Sequence, residues 1–320
     1  MADGWRAASL SQGSWGRFGA VHCSAAASLA AARGGWCEKV GELILPASGE
    51  PEQGVRTKAM CTMTRVGLVG LGRIGARVAA HLGSRARISA VLLRSEKRHT
   101  DLPLTCSLDE FLSSQPDIVL EAASSDALAA YGPVIVRAGV DLLPLSLCAL
   151  LTPKVERDLR DSIKAPGAGR VLIASGAVAT LDALVTAKAA GLERVIYRTA
   201  KPLEVWRRTA AASLVDLRSI ETATAILHGS VRDLAVHFPH NLNVAVGVAL
   251  AGLGFERTEM ELIADPTLTV TVHELEFWGK PGHFKMRLVG TDPDPVDDCA
   301  DYTAYSVLHV LRTRSAPLIL

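Results

Sequence analysis

Gly70, Gly72 and Gly75 stand at GxGxxG spacing inside the run RVGLVGLGRIGARVAAHL at residues 65–82. Val66, Leu68 and Val69 before them read as a buried strand, and residues 76–82 resume with helical periodicity. In that setting each glycine has its own task. Gly70 permits the tight turn, Gly72 lets the backbone approach a pyrophosphate, and Gly75 lets helix and strand pack closely. The free N–H groups at the helix start then face phosphates. Arg73 and Ile74 lie between the glycines and complete the expected dinucleotide contacts; a plain glycine-rich turn is the competing reading. The acid that grips an adenosine ribose normally ends the second strand. Here Leu93 is followed by Arg94, Ser95 and Glu96. An arginine at that place can meet a 2′-phosphate, so NADP is admitted and NAD is not excluded. The alternative for Arg94 is a solvated strand-end residue.

The elements that must hold this loop follow an α/β pattern. Strands are expected at 88–93, 117–121, 141–145 and 171–174, with a helix at 127–138 closed by Gly139. Strands alternating with helices indicate parallel βαβ units, a Rossmann domain over residues 63–178. After about residue 179 the character changes. A helix at 181–190 and a strongly apolar helix at 243–253 accompany strand-like runs at 194–199, 221–227, 259–264, 267–277 and 284–289. That is an α+β domain with a largely antiparallel sheet, over residues 179–300. A last helix at 301–313 is expected to return and pack on the first domain, after a loop carrying Pro293 and Pro295.

Residues 1–62 differ from the rest, being rich in Ala, Gly and Ser, with Asp3 the only acid before Glu38. Three readings compete: an extension upstream of a start at Met63, which is favoured and expected to be disordered; a targeting peptide; or a minor helix at 25–32. The 320 residues suffice for two domains with their own cores. Lys and Arg number 34 against 33 Asp and Glu, a net charge of +1. Such balance gives no support to nucleic-acid or anionic-membrane binding. The six cysteines are scattered without CxxC or Cys/His ligand spacing. Reduced thiols in a cytoplasmic protein without a structural metal are the simple reading.

The stretch HFPHNLNVAVGVALAGLGFERTEMELIADPTLTVTVHELEF at 237–277 closely resembles the L-aspartate dehydrogenase family. Members carry FPxNxNVA, LAGxGF and DP…H segments in that order. The matching residues are Phe238, Pro239, Asn241, Asn243, Val244 and Ala245; then 250–252, Gly254 and Phe255; then Asp265, Pro266 and His273. Upstream, Ser175-Gly176-Ala177 resembles an SGA turn, Lys201-Pro202 a KP motif and 229–232 a GSxR segment. The resemblance implies an oxidoreductase that moves hydride from Cα of L-aspartate to NAD(P)⁺. The product, iminoaspartate, then hydrolyses to oxaloacetate and ammonia or feeds NAD (pyridine nucleotide) biosynthesis. It also implies His273 as the catalytic histidine, and Ala177 and Asn243 as cofactor contacts on the nicotinamide side.

The residue types suit that chemistry. Hydride leaves Cα only when the amine is unprotonated, so a base of near-neutral pKa helps, and histidine is the usual one. Asn243 opens an apolar helix where its amide and local N–H groups can hold polar ligand atoms. Lys201 can pair with a substrate carboxylate, with Arg232 a weaker candidate of the same kind. Taken alone, His273 reads as a satisfied core or face histidine, Asn243 competes with a helix cap, and Lys201 with a surface lysine. The resemblance turns His273 and Asn243 toward the site. His237 and His240 flank Phe238-Pro239 without an acidic or Cys partner, so no metal is expected.

Departures also stand out. Cys148 occupies a segment where the family carries glycine, and is expected to crowd the cofactor side of its loop. Thr271 and Val272 precede His273 where an Asn is common. Two other functions therefore stay open: a dehydrogenase of another small amino or dicarboxylic acid, and a non-catalytic NAD(P)-binding sensor. The expected site lies in the cleft between the domains, and a paired second sheet would support a homodimer.

Overall fold

The computed structural model describes residues 63–95, 100–238, 242–290 and 302–314. The expectations for 1–62, for His240, Pro239 and Asn241, and for the Pro293–Pro295 loop lie outside these residues.

The first half is a parallel sheet. β1 (Thr64–Val69), β2 (Ala86–Leu92), β3 (Leu104–Thr105), β4 (Ile118–Glu121) and β5 (Asp141–Pro144) are arranged in the order β3-β2-β1-β4-β5. Val66, Leu68, Val91, Ile118, Leu120 and Leu143 are buried. Such continuous apolar strands are what a parallel sheet covered on both faces requires. Helices α1 (Arg73–His81), α2 (Leu108–Ser113), α3 (Ser125–Arg137) and α4 (Pro153–Ile163) connect them. Ser107 and Ser124 cap α2 and α3, each accepting a backbone N–H with its side chain.

The strand expected at 171–174 does not form. Val171 makes one isolated parallel bridge to Leu142. Leu172 N–H donates to the Leu142 carbonyl, and the chain then leaves the sheet for a 3₁₀ turn at Gly176–Val178.

The second half is a mixed sheet in the order β10-β9-β6-β8-β7, built from β6 (Leu192–Lys201), β7 (Thr224–Ser230), β8 (Thr258–Ala264), β9 (Val272–Gly279) and β10 (Gly282–Val289). Only β6 and β8 run parallel; the other pairs are antiparallel. β9 starts later than the alternation at 267–277 suggests. Asp265 Oδ1 accepts from both Thr267 N–H and Thr267 Oγ1, at 2.9 and 2.6 Å, closing a turn there. β7 likewise starts at Thr224 rather than 221. Helices α5 (Leu181–Gly191) and α6 (Asn243–Ala251) belong to this half.

One apolar core runs through both halves. Leu128, Ile135 and Leu142 join through Leu147, Leu150, Leu181 and Leu184 to Tyr197, Met260, Leu262 and Leu275. The last helix, α7 (Tyr302–Thr313), sets Ala304, Val307, Leu308 and Leu311 into the core beside Val66, Leu68 and Val78 of the first half. Arg312 locks the end of that contact by donating to the His81 carbonyl at 2.5 Å.

Candidate active site

The glycine turn has the geometry its residue types demand. Gly70 has φ +89°, and a Cβ there would lie 2.8 Å from the Ala123 Cβ. At Gly75 a Cβ would meet the Gly70 carbonyl oxygen at 2.8 Å. Gly72 is different: a Cβ would approach only the Ala122 oxygen, at 3.9 Å. That leaves open ground in front of the start of α1, whose cap residue Gly72 makes no side-chain hydrogen bond. The residues present therefore fit a dinucleotide pyrophosphate. Arg73 is exposed beside this opening, and Ile74 reaches the wall of the cavity described below. The turn is fixed to the end of β2 by a 3.0 Å hydrogen bond from Gly70 N–H to the Leu92 carbonyl. Arg94 lies two residues beyond that carbonyl, exposed to solvent.

A buried carboxylate holds the neighbouring loops. Glu121, at the carboxyl end of β4, is 1% exposed. It accepts from Ala123 N–H, Ser124 N–H, Ser146 N–H and Ser146 Oγ, at 2.8 to 3.0 Å. Burial pushes its pKa up, while these four donors work to keep it ionised. They tie the loop after β4 to the loop after β5, both at the edge where a parallel sheet binds ligands.

A cavity of about 320 Å³ opens between that edge and the face of the second sheet. Ile74, Pro144, Leu145, Ser175 and Gly176 contribute from the first half; Tyr197, Thr199, Lys201, Trp206, Asn243 and His273 contribute from the second. Thr303 of α7 also reaches it. The structure thus brings together four predicted residues: Ile74, Lys201, Asn243 and His273. Gly70, Gly72, Arg73, Gly75 and Arg94 stand along the adjoining turn rather than in the cavity wall. Ala177 is half-buried in the 3₁₀ turn, next to the lining residues Ser175 and Gly176. That turn is braced by Ser306, whose Oγ accepts the Gly176 N–H at 3.1 Å.

Asn243 lines the cavity but is not the cap of its helix. Leu242 occupies the cap position of α6. The Asn243 Oδ1 accepts the Cys148 N–H at 2.9 Å, stitching the two halves together. Cys148 does not crowd the loop as expected. Its thiol is buried, outside the cavity wall, and its Sγ accepts the Leu242 N–H at 3.2 Å. Burial pushes the thiol pKa up to about 11, so Cys148 is a packing residue here. Arg232 is committed elsewhere. It donates to the Leu151 carbonyl at 2.7 Å and to Glu256 at 3.1 Å, and lies over the Phe255 ring. His237 is exposed, and the described residues hold no group of three or more metal-ligating side chains.

The polar floor of the cavity comes from alternate residues of β6 and their neighbours on β9. Tyr197, Thr199 and Lys201 share one strand face by the period of two, and Thr199 is paired with His273 in register. The Tyr197 hydroxyl lies 2.7 Å from His273 Nδ1, with the two rings nearly parallel at 15°. Burial, and then the nearby Lys201 charge, lower the His273 pKa to about 4. Lys201 is itself shifted down by burial. It has no ion-pair partner among the described residues, and its Nζ sits 5.2 Å from the Trp206 ring centroid. Trp206 is held in place by donating Nε1–H to the Ile263 carbonyl at 2.8 Å and by edge packing on Phe238.

Sequence reasoning had missed Tyr197, Thr199, Trp206 and Glu121. The first two were within reach, because YRTAK ending at Lys201 puts residues 197, 199 and 201 on one face once it is read as a strand. Trp206 and Glu121 carry no comparable local signal.

Residues 182–314 match the family described as aspartate dehydrogenase, C-terminal. Residues 70–172 match that described as homoserine dehydrogenase, NAD binding domain. L-aspartate dehydrogenase 1 of Bordetella pertussis is 37% identical over 235 residues, covering 72% of this chain and 88% of that protein. L-aspartate dehydrogenase of Ruegeria pomeroyi is 34% identical over 259 residues, covering 79% and 94%. The crystal structure of aspartate dehydrogenase from Thermotoga maritima superposes with a TM-score of 0.67 at 25% identity, covering 81% of this chain and 99% of that one.

Proposed function

The chain belongs to the L-aspartate dehydrogenase family, and from that premise we propose that it oxidises L-aspartate to iminoaspartate with NAD⁺ or NADP⁺. The observation that carries the reading is the joint presence, in one cavity wall, of a half-buried lysine with no ion pair among the described residues and a neutral histidine beside a glycine turn. When bound, the nicotinamide cofactor supplies the hydride acceptor. Gly70, Gly72, Arg73, Ile74 and Gly75 would hold its pyrophosphate side, Arg94 a 2′-phosphate if one is present, and Ala177 and Asn243 the nicotinamide side.

The chain's own residues supply binding, orientation and a proton acceptor. Lys201, with no carboxylate of its own, takes a substrate carboxylate, and Trp206 holds its ammonium in position. His273 is neutral at pH 7, so it accepts the proton that the substrate ammonium must lose before hydride can leave Cα. Pairing Lys201 with a carboxylate removes part of the repulsion that disfavours the imidazolium, so substrate binding itself makes His273 a stronger base. Loss of hydride and that proton gives the imine. Water then adds to the imine carbon, and ammonia departs to leave oxaloacetate. Unhydrolysed imine is the form that NAD biosynthesis would draw on.

The test is NAD(P)H formation on mixing the protein, L-aspartate and either cofactor at alkaline pH, with a panel of amino and hydroxy acids alongside. Turnover of another acid in place of aspartate selects the related-dehydrogenase reading. Cofactor binding with no turnover on the whole panel selects the sensor. A homodimer is the second part of the proposal. The face of the second sheet turned from the cavity carries Arg194, Arg198, Glu259, Glu261, Glu274 and Glu276, ion-paired with one another, as a surface that a second copy could cover. Light scattering that gives the monomer mass at micromolar concentration removes that part. Cytoplasmic residence fits the free thiols Cys106 and Cys148. No helix among the described residues is long and apolar enough to cross a membrane.

A further inference from the structure

His273 can serve as a proton acceptor only if the nitrogen facing the ligand holds the lone pair, and the structure contains a device that decides this. Nδ1 is the nitrogen engaged by Tyr197, at 2.7 Å. Nε2 has no partner among the described residues and is left for the ligand. Two directions of the Tyr197–His273 hydrogen bond are chemically distinct. If the phenol donates, the imidazole proton must sit on Nε2, and His273 meets the substrate as a donor. If Nδ1–H donates to the phenol oxygen, Nε2 is bare and can take a proton, and the same hydrogen bond survives in the imidazolium.

The surroundings favour the second direction. A phenol that accepts from Nδ1–H needs another acceptor for its own O–H. Thr199, two residues along the same strand face, brings a hydroxyl that can turn to that role. Its Oγ1 is buried, the residue is 5% exposed, and it has no hydrogen-bond partner among the described residues. An orphan hydroxyl in such a place costs free energy unless a neighbour uses it. Burial keeps the phenol neutral, pushing its pKa well above the ordinary tyrosine range, so Tyr197 contributes a dipole and not a charge.

We infer that Tyr197 is the positioning residue of the site: with Thr199 behind it, it accepts the Nδ1–H of His273 and presents Nε2 to the substrate as the proton acceptor. Tyr197 touches neither the reacting carbon nor the amine, and acts through the imidazole alone. The inference rests on the proposed role of His273 and deepens it. The groups that titrate in the cavity wall are Tyr197 and Lys201 on β6 and His273 on β9; β10 places Leu288 beside His273. Among the described residues, a pH effect on His273 is therefore read against Lys201 and Tyr197.

Imidazole ¹⁵N chemical shifts of the full chain, assigned by loss of signal in His273→Gln, report the tautomer without any turnover. The Nδ1–H form is expected in the wild type at pH 8, with the preference lost in Tyr197→Phe and weakened in Thr199→Val. An Nε2–H form in the wild type overturns the inference. Kinetics give the second reading. Tyr197→Phe should lower kcat about tenfold, the worth of one hydrogen bond. KM for L-aspartate should stay within about twofold. The acid limb of its kcat profile should move to lower pH, because the imidazolium loses an acceptor. A shift to higher pH means that the phenol was the donor and refutes the assignment. If Tyr197→Phe does not fold, the wild-type tautomer and Thr199→Val still decide. A wild type that fails to oxidise L-aspartate yet shows the Nδ1–H form removes the proposed substrate and leaves the positioning role standing.

Discussion

Strands β6 and β9 do opposite things with polar side chains on their two faces. On the face turned from the cavity, Arg198 donates to Glu261, Glu274 and Glu276 at 2.8, 2.9 and 2.5 Å, and Lys285 and His283 reach Glu274 and Glu276 from β10. Each charge there has a counter-charge. One residue over, on the cavity face, Lys201 is shifted down by burial without an ion pair, Thr199 Oγ1 lacks a partner, and His273 keeps one nitrogen open. The same two strands satisfy polar groups on one side and withhold satisfaction on the other. Unpaired buried groups are costly, so Lys201 and the open His273 nitrogen, together in one cavity wall, mark groups that the ligand is to satisfy.

The largest expected effect falls on the unsatisfied face. His273→Ala should lower kcat/KM for L-aspartate by about 10²- to 10⁴-fold, the usual worth of a positioned general base. NADPH binding, followed by its fluorescence, should change by less than about twofold. Equal loss of both would mean that His273 supports the fold and not the chemistry. On the satisfied face the contrast reverses. Arg198→Ala leaves Glu261 without its ion pair, and Glu274 and Glu276 with only Lys285 and His283, and should lower the unfolding free energy by about 1 to 3 kcal/mol. It should leave kcat for L-aspartate unchanged, because Arg198 points away from the cavity.

A third effect joins pH to stability. The His273 pKa is lower folded, about 4, than its ordinary value of 6.5. Between these values the unfolded chain binds more protons, so stability falls as pH drops through that window. Its full size is about 3 kcal/mol. Denaturant melts of the wild type and His273→Asn at pH 8 and pH 4 should differ in this sense; equal pH dependence would contradict the burial of a neutral imidazole. Next, Lys201→Met should raise KM for L-aspartate about tenfold or more, the loss of a charge-assisted hydrogen bond. It should also move the acid limb of kcat/KM to higher pH, since the cation that disfavours the imidazolium is gone. The smallest effect belongs to Arg94→Ala: KM for NADP⁺ should rise severalfold while KM for NAD⁺ stays put. Equal KM changes for both cofactors would leave Arg94 as a solvated residue.

Those predictions also divide by how far the residues behind them were legible in the chain itself. The glycine turn is a backbone device, so its residue types announce it: positive φ at Gly70 and close approach at Gly75 admit little else. The strands of the parallel sheet were legible because burial on both faces leaves apolar runs. Val171 misled, because a run of Val, Leu and Ile is equally at home packed beside a sheet, held by one bridge. The substrate side was less legible, since its residues take meaning from partners far along the chain. Asn243 read as a cap or a ligand; it is not the cap, and its Oδ1 also holds the Cys148 backbone across the two halves. Tyr197, unremarked within the expected strand at 194–199, touches His273, 76 residues away. Such pairings depend on strand register, which no local pattern encodes.

The contrast between the two faces has meaning only if the cavity meets its substrate. The direct measurement is the initial rate of NAD(P)H formation by the folded wild type on L-aspartate at alkaline pH, set beside the same assay with His273→Ala. The account predicts saturable turnover that requires L-aspartate and is nearly abolished in the variant. A wild type that binds the cofactor and gives no NAD(P)H from L-aspartate would contradict it.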